Sequence, residues 1–162
     1  MNETAPTPPL PAEVLEAFAT AAITALQELA QCEAAPLSTA HRDESSTSRH
    51  AVATMQLQHS PLRSMQLVLS LEAATLLAER YLPAGSELST DIIDDVIGEF
   101  ANVIAGQAKT MLKGSPYHFH LSLPHVARYV QASRNSLPAH AIVLGMFDST
   151  MHRLILNIRL TD

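Results

Sequence analysis

The feature that most constrains how this chain can fold is a long helix-forming segment at about residues 90–113. Ser89 or Thr90 can cap its start, and the aspartates that follow favour the positive end of the helix dipole. Gly114 and Pro116 provide a C-terminal stop. At roughly 100° per residue, apolar side chains collect on one face, which is predicted to face the core. These residues are Ile93, Val96, Ile97, Phe100, Ile104, Ala108 and Met111.

Alternating and helical patterns on both sides of this segment predict the other elements. The further helices are predicted at residues 12–31 and 72–81. The predicted strands are residues 51–58, 63–71, 117–123, 139–147 and 151–160, with 126–131 as a weaker candidate. Turns are expected at 59–61 and 148–150. This order predicts an α/β fold of the α+β kind, with a mixed or antiparallel sheet covered by helices, one of them the long helix.

The segments before and after the predicted first helix differ in composition from the rest of the chain. Residues 1–11 hold four of the ten prolines and predict a flexible lead-in, so a single domain is expected over 12–162. Residues 35–49 are polar and rich in Ser and Thr, which predicts a loop. The strands at 117–123 and 151–160 are expected to be the edges of the sheet, where another chain could pair.

Composition excludes several classes of function. With 47% apolar and 16% charged residues, the chain is globular, and its net charge of −6 with scattered cations argues against a nucleic-acid partner. The single cysteine, Cys32, cannot form a disulfide framework or a thiolate metal site and is expected to be buried. The N-terminus does not resemble a signal peptide, and no apolar run reaches membrane-spanning length, so a cytoplasmic location is expected without a membrane association.

The face of the long helix opposite its apolar stripe is polar. It includes one glycine, and a second glycine lies at its border. It carries Asp95, Glu99, Asn102, Gly106, Lys109 and Lys113, with Gly98 at its border. Glu99 and Asn102 are three residues apart, so their side chains are neighbours. Each glycine costs a helix about 1 kcal/mol relative to alanine, which suggests a face that another surface approaches closely. From spacing alone, solvated side chains and packing glycines are the simpler interpretation.

The segment DVIGEFANVIAGQAK resembles the signature of the CheC/CheX/FliY family of response-regulator phosphatases. That signature has Asp or Ser, three residues, Glu, two residues, Asn, and Pro a little over twenty residues further on. It falls here on Asp95, Glu99, Asn102 and Pro124. The resemblance also covers residues 65–82 and extends weakly through the C-terminal strands. Because the first helix has no second Glu-x-x-Asn, the chain is more similar to CheX than to CheC.

The resemblance implies a CheX-like homodimer that dephosphorylates a CheY-like response regulator. The Mg²⁺ would belong to the regulator's phospho-aspartate site, and no cofactor of the chain's own is implied. Asn102 would position the attacking water, and Glu99 would form an ion pair with a regulator lysine. Asp95, Gly98, Gly106 and Gln107 would contact the partner, with Ala101 and Ala105 adding clearance. Gln107 stands where the family often has Asn, which could alter partner preference.

Two alternatives remain open from the sequence. A CheX-like binding module could dock a regulator or motility component without hydrolysis, although the intact Glu99 and Asn102 favour catalysis. A metal-binding domain could use His118 and His120, which share one face of a strand, with His125 or Glu99 as a third ligand. Such histidines are more often surface groups, so no metal site is predicted.

Overall fold

A computed structural model describes residues 9–37, 49–129, 140–147 and 153–162. The helices in this part of the chain are α1 (Ala12–Ala30), α2 (Leu71–Tyr81) and α3 (Thr90–Met111). The strands are β1 (Ala34–Leu37), β2 (His50–Gln58), β3 (Ser64–Ser70), β4 (His120–Leu121), β5 (His125–Tyr129), β6 (His140–Phe147) and β7 (Arg153–Thr161). Most of the predicted lead-in, most of the predicted loop at 35–49 and the predicted turn at 148–150 lie outside the described residues.

The described strands form one sheet in the order β1-β6-β7-β3-β2-β4, and β5 also pairs with β2. Each of these pairings is antiparallel. In the centre of the sheet, Leu67 is opposite Ala53 on one side and opposite Ile158 on the other, so these three side chains project from the same face. The predicted fold class is therefore confirmed, with the antiparallel alternative realised.

The helices cover one face of this sheet and form a single hydrophobic core with it. Met55, Leu67 and Ile158 are fully buried and belong to the same cluster as the apolar faces of the three helices. Phe18 of α1 stacks on Phe119, with ring centroids 5.9 Å apart and planes at 16°. Among the described helices, none combines the length and apolarity that crossing a bilayer requires.

The lone cysteine is buried as predicted, directly after α1. Its Sγ donates a weak hydrogen bond to the carbonyl of Phe147 at 3.8 Å. Burial raises the pKa of the Cys32 thiol, and the charge of Arg80 lowers it in part. Leu10, which falls in the predicted lead-in, is also buried and joins the core.

Three features of the sheet differ from the prediction. The prediction that the strand at 151–160 is an edge of the sheet is wrong, because β7 lies between β6 and β3. β1 overlaps the start of the loop predicted at 35–49. It forms a strand despite Pro36 because it pairs with β6. The strand predicted at 117–123 is reduced to two residues, because Ser115 forms hydrogen bonds with the backbone amides at the start of that segment. Its Oγ accepts from the amide of Tyr117, and its carbonyl accepts from the amide of His118.

The aromatic stack between α1 and the segment before β4 allows a test of the core. We expect Phe18→Ala to lower the free energy of unfolding by about 3–5 kcal/mol, because it removes a fully buried ring and leaves a cavity. Met111, predicted to be in the core, is 47% exposed at the last turn of α3. Met111→Ala should therefore change stability by less than about 0.5 kcal/mol. Urea unfolding of both variants measures the difference, and equal losses would contradict this core assignment.

Candidate functional site

The rotation of α3 about its own axis is fixed by its cap and its buried face. Ser89 is the N-cap, and its Oγ accepts a hydrogen bond from the amide of Ile92 at 3.3 Å. Ile97, Phe100 and Ile104 are fully buried, with no accessible surface. Tyr81 of α2 meets Phe100 edge-to-face, with centroids 5.8 Å apart. Because these contacts hold the apolar side inward, the opposite side of α3 faces outward.

The exposed side of α3 carries the side chains that the family signature identifies. Asp95, Glu99 and Asn102 are all exposed. Gly106 lies one turn beyond Asn102 and is half-buried, and a Cβ built on it would meet no atom within 4 Å. The structure therefore brings a carboxylate and an amide together on an open helical surface, with free space on the C-terminal side.

Gly98 has a different environment from Gly106. It is buried, and a Cβ built on it would lie 3.5 Å from Cγ of Pro124 and 3.7 Å from Cγ2 of Val126. These distances are ordinary van der Waals contact for a Cβ, so the surface that packs on α3 at Gly98 is the chain's own segment after β4 and not a partner. Pro124, the last residue of the signature, consequently lies beside α3 one turn before Asn102.

The remaining predicted contact residues do not share this open face. Ala101 and Ala105 have no accessible surface, so the prediction that they provide clearance for a partner is wrong; they face the core. Gln107 is half-buried and lies about 140° around the helix from Asn102, given 3.6 residues per turn. It is therefore not brought together with Glu99 and Asn102.

Residues 122–126, here called the site wall, approach α3 at Gly98, on the border of its exposed face. The wall is tied to β2, since the amide of Gln56 donates to Oγ of Ser122 at 2.8 Å and the Ser122 amide donates to the Gln56 carbonyl at 3.2 Å. Pro124 and Val126 pack on α3 at Gly98. Between these two attachments, Leu123 is 89% exposed.

An ion pair holds β5 against the first turns of α3. Oδ1 of Asp94 accepts from Nη2 and Nε of Arg128 at 2.8 and 3.1 Å, and the same Nη2 donates to the Thr90 carbonyl at 3.3 Å. Sequence reasoning assigned a role to Asp95 but missed Asp94 and Arg128. The opposite charges were visible in the sequence, but their proximity depends on how β5 lies on α3.

Three histidines meet near the end of β2. The rings of His118 and His120 have centroids 6.0 Å apart, and His59 approaches His120 edge-on at 5.2 Å. In the part of the chain that the structure describes, no group of three or more His, Cys, Asp or Glu side chains is placed to hold a metal ion. The metal-binding alternative therefore gains no support from this cluster.

The antiparallel sheet covered by three helices, with an exposed Glu-x-x-Asn on the longest one, defines an α+β protein of the CheC/CheX type. The family model described as "Chemotaxis phosphatase CheX" matches residues 52–144, which include the whole of α3 and the site wall. This match spans more than half of the chain, and the chain belongs to the CheX family. The resemblance predicted from the signature is thereby confirmed.

Solved structures share this fold at low sequence identity. The chemotaxis protein CheX from Vibrio vulnificus is 18% identical, with a TM-score of 0.68 over 95% of this chain and 100% of that one. CheX from Borrelia burgdorferi, solved as a CheX-CheY-BeF3-Mg+2 complex, is 16% identical, with a TM-score of 0.65 over 92% and 98%. The Helicobacter pylori FliM-SpeE complex contains a chain that is 13% identical, with a TM-score of 0.59 over 93% and 89%. No curated protein sequence gives a significant match.

The two glycines of α3 differ in what a side chain would meet, which leads to a matched prediction. We expect Gly98→Leu to lower the free energy of unfolding by about 1–3 kcal/mol, because the new side chain overpacks against Pro124 and Val126. Gly106→Leu should raise it by about 0.5–1 kcal/mol, because a better helix former enters open space. Urea unfolding compares the two variants. A gain in stability at Gly98 would contradict the packing of the site wall on α3.

Proposed function

We propose that this protein is a phosphatase for the aspartyl phosphate of a CheY-like response regulator. The observation that carries the proposal is the pairing of Glu99 and Asn102, both exposed, on a helix whose other face is locked in the core. In a chain of the CheX family, that arrangement suits insertion of a short polar surface into another protein's active site. The partner regulator would supply the phosphoryl group and its Mg²⁺.

Asn102 is the residue that we assign to the attacking water. Hydrolysis of an acyl phosphate requires a water in line with the leaving oxygen, and most of the catalysis comes from positioning and charge stabilisation. A side-chain amide accepts a hydrogen bond from that water and stays neutral, so it orients the water without acting as a general base. Positioning of this kind can supply several kcal/mol through the entropy that it saves. Since the regulator holds the metal, the CheX-like chain needs no cofactor of its own.

Glu99 is assigned to docking. Its exposed carboxylate lies one turn from Asn102 and can accept a charged hydrogen bond from a lysine of the regulator. Asp95 extends the acidic surface by another turn, and the chain as a whole carries a net charge of −6. A regulator with basic residues around its phosphorylation site would be attracted to this surface. Gly106 leaves room for that regulator next to Asn102.

The similar structures support a CheY-like partner but also a second function. The Borrelia burgdorferi CheX was solved with CheY, beryllium fluoride and magnesium, which makes a CheY-like regulator the partner of choice here. A chain of the FliM-SpeE complex also shares the fold and was solved bound to another protein. A binding module without hydrolysis is therefore the alternative. The presence of both Glu99 and Asn102 favours the phosphatase.

The division of roles between the two residues predicts different kinetic losses. We expect Asn102→Ala to lower kcat at least about 100-fold, because the water loses its orientation. Glu99→Ala should mainly raise KM, because a docking contact is lost while Asn102 remains. Phosphate release from a phosphorylated CheY-like regulator, measured over a range of regulator concentrations, separates kcat from KM.

Gln27→Ala provides the matched control, because Gln27 is an exposed amide on α1, outside the face of α3 that we assign to catalysis. Its kinetic parameters should equal those of the unmodified protein. If the unmodified protein binds the regulator without accelerating phosphate release, the binding-module alternative holds. If release is accelerated but Asn102→Ala leaves kcat unchanged, Asn102 does not position the water.

We also propose that the protein is cytoplasmic and forms a homodimer, the oligomeric state that the resemblance to CheX implies. Within the described residues, β1 pairs with β6 on one side and lies at the end of the sheet order, so an edge is present at which two copies could associate. We expect light scattering after size exclusion to give twice the chain mass at micromolar concentration. A single-chain mass at all concentrations tested would contradict the dimer.

A further inference from the structure

Leu123 is much more exposed than the other large apolar side chains of the described residues. Its relative exposure is 89%, whereas Tyr81, Phe147 and Met111 have 38%, 42% and 47%. Single exposed leucines are common on protein surfaces and need no explanation by themselves. The position of Leu123 and the way in which its neighbours are held distinguish it from the other three.

Both neighbours of Leu123 are fixed by the fold. Ser122 makes two hydrogen bonds to Gln56 of β2, of 2.8 and 3.2 Å, and its hydroxyl also donates to the Leu123 carbonyl at 3.2 Å. On the other side, Pro124 packs against α3 at Gly98 and has a restricted backbone. The backbone of Leu123 is therefore held in place while its side chain projects into solvent. A residue whose backbone is already held loses less conformational entropy when a partner binds, because only its side chain remains to be ordered.

Leu123 also lies beside the proposed catalytic surface. Pro124 contacts α3 at Gly98, which is one turn from Asn102 and about 40° from it around the helix. Since Leu123 directly precedes Pro124, a receiver domain that takes in the Asn102 amide would come close to Leu123 at the border of the polar face. Leu123 and the acidic row of Asp95 and Glu99 therefore present different chemistry to the same receiver domain.

We propose that Leu123 is a specificity-determining contact of this protein, buried on docking by an apolar surface beside the phospho-aspartate pocket of the receiver domain. This inference rests on the proposed function for its partner, but it uses a residue outside the Glu-x-x-Asn signature. Glu99 gives the docking surface a charge preference, which any receiver with a suitable lysine satisfies. Leu123 adds a requirement for shape and apolarity at a second position, so it discriminates among such receivers.

The role assigned to Leu123 predicts a loss of affinity without a loss of chemistry. Removing a leucine side chain that becomes buried should weaken binding about tenfold or more. Its backbone stays anchored through Ser122 and Pro124, and Asn102 stays in place. We therefore expect Leu123→Ala to raise KM for the phosphorylated regulator about tenfold or more, with kcat changed less than twofold. Leu123→Met, which keeps most of the apolar volume, should recover most of the affinity.

Met111→Ala is the matched control. Met111 is an exposed apolar residue on the same helix as Asn102, but it lies about 180° around the axis from it. This variant should leave both kcat and KM unchanged. Because Leu123 is exposed, its variants should unfold at the same urea concentration as the unmodified protein, which shows that any kinetic change is local.

A second measurement separates this inference from the proposed hydrolysis. The dissociation constant is measured for a CheY-like receiver domain loaded with beryllofluoride and Mg²⁺, which mimics the phosphorylated state without turnover. Tenfold weaker binding by Leu123→Ala supports the inference even if the unmodified protein releases no phosphate, in which case only the phosphatase proposal fails. Equal affinities for Leu123→Ala and the unmodified protein overturn the inference, whatever the phosphatase activity is. Absence of any binding by the unmodified protein overturns both.

Discussion

The one-sided burial of α3 is the constraint on which the rest of the site depends. Its apolar residues pack on α1, α2 and the sheet, and Phe100 and Ile104 have no accessible surface. A rotation of the helix by one residue would expose an aromatic ring and bury a carboxylate, and both changes are costly. Glu99 and Asn102 face outward because no other rotation satisfies the core. The precision that the proposed reaction requires is thus supplied by hydrophobic packing on the far side of the helix.

The second element of the site is built by the sheet rather than by the helix. The site wall is attached at two points. Ser122 forms hydrogen bonds with Gln56 of β2, and Pro124 packs on α3 at Gly98. The pair of Arg128 and Asp94 ties the following strand to the start of the same helix. Their side chains are 31% and 27% exposed, so solvent screens this pair and its main effect is on orientation rather than stability. The proposed partner surface therefore lies where α3 meets the segment that leads into β5, and contacts with both the helix and the sheet hold it.

The sequence was sufficient to predict what local patterns encode. The cap, apolar stripe and stop signals of α3 lie within one segment, and the Glu-x-x-Asn pair follows from helical spacing alone. β1 could not be predicted, because it becomes a strand only by pairing with β6, far along the chain. The burial of Gly98 likewise depends on where Pro124 arrives, and spacing along α3 cannot show this. Met111 was misassigned because it lies in the last turn of α3, where its position on the periodic stripe is no longer covered, although Leu112 beside it is buried.

The proposed phosphatase would act with few groups of its own, an exposed amide and an exposed carboxylate, and this has a consequence for its specificity. A water bound by a lone amide is not activated by it, so the acceleration depends on the metal and phosphate contacts that the regulator brings. Selection among regulators must then come from docking rather than from chemistry. Charge complementarity around Glu99 steers the partner and is weakened by salt, whereas burial of an apolar side chain on an anchored backbone, such as Leu123, is short-ranged and is not screened by salt. A site that contributes little chemistry thus gains most from contacts that neighbour the catalytic pair without belonging to it.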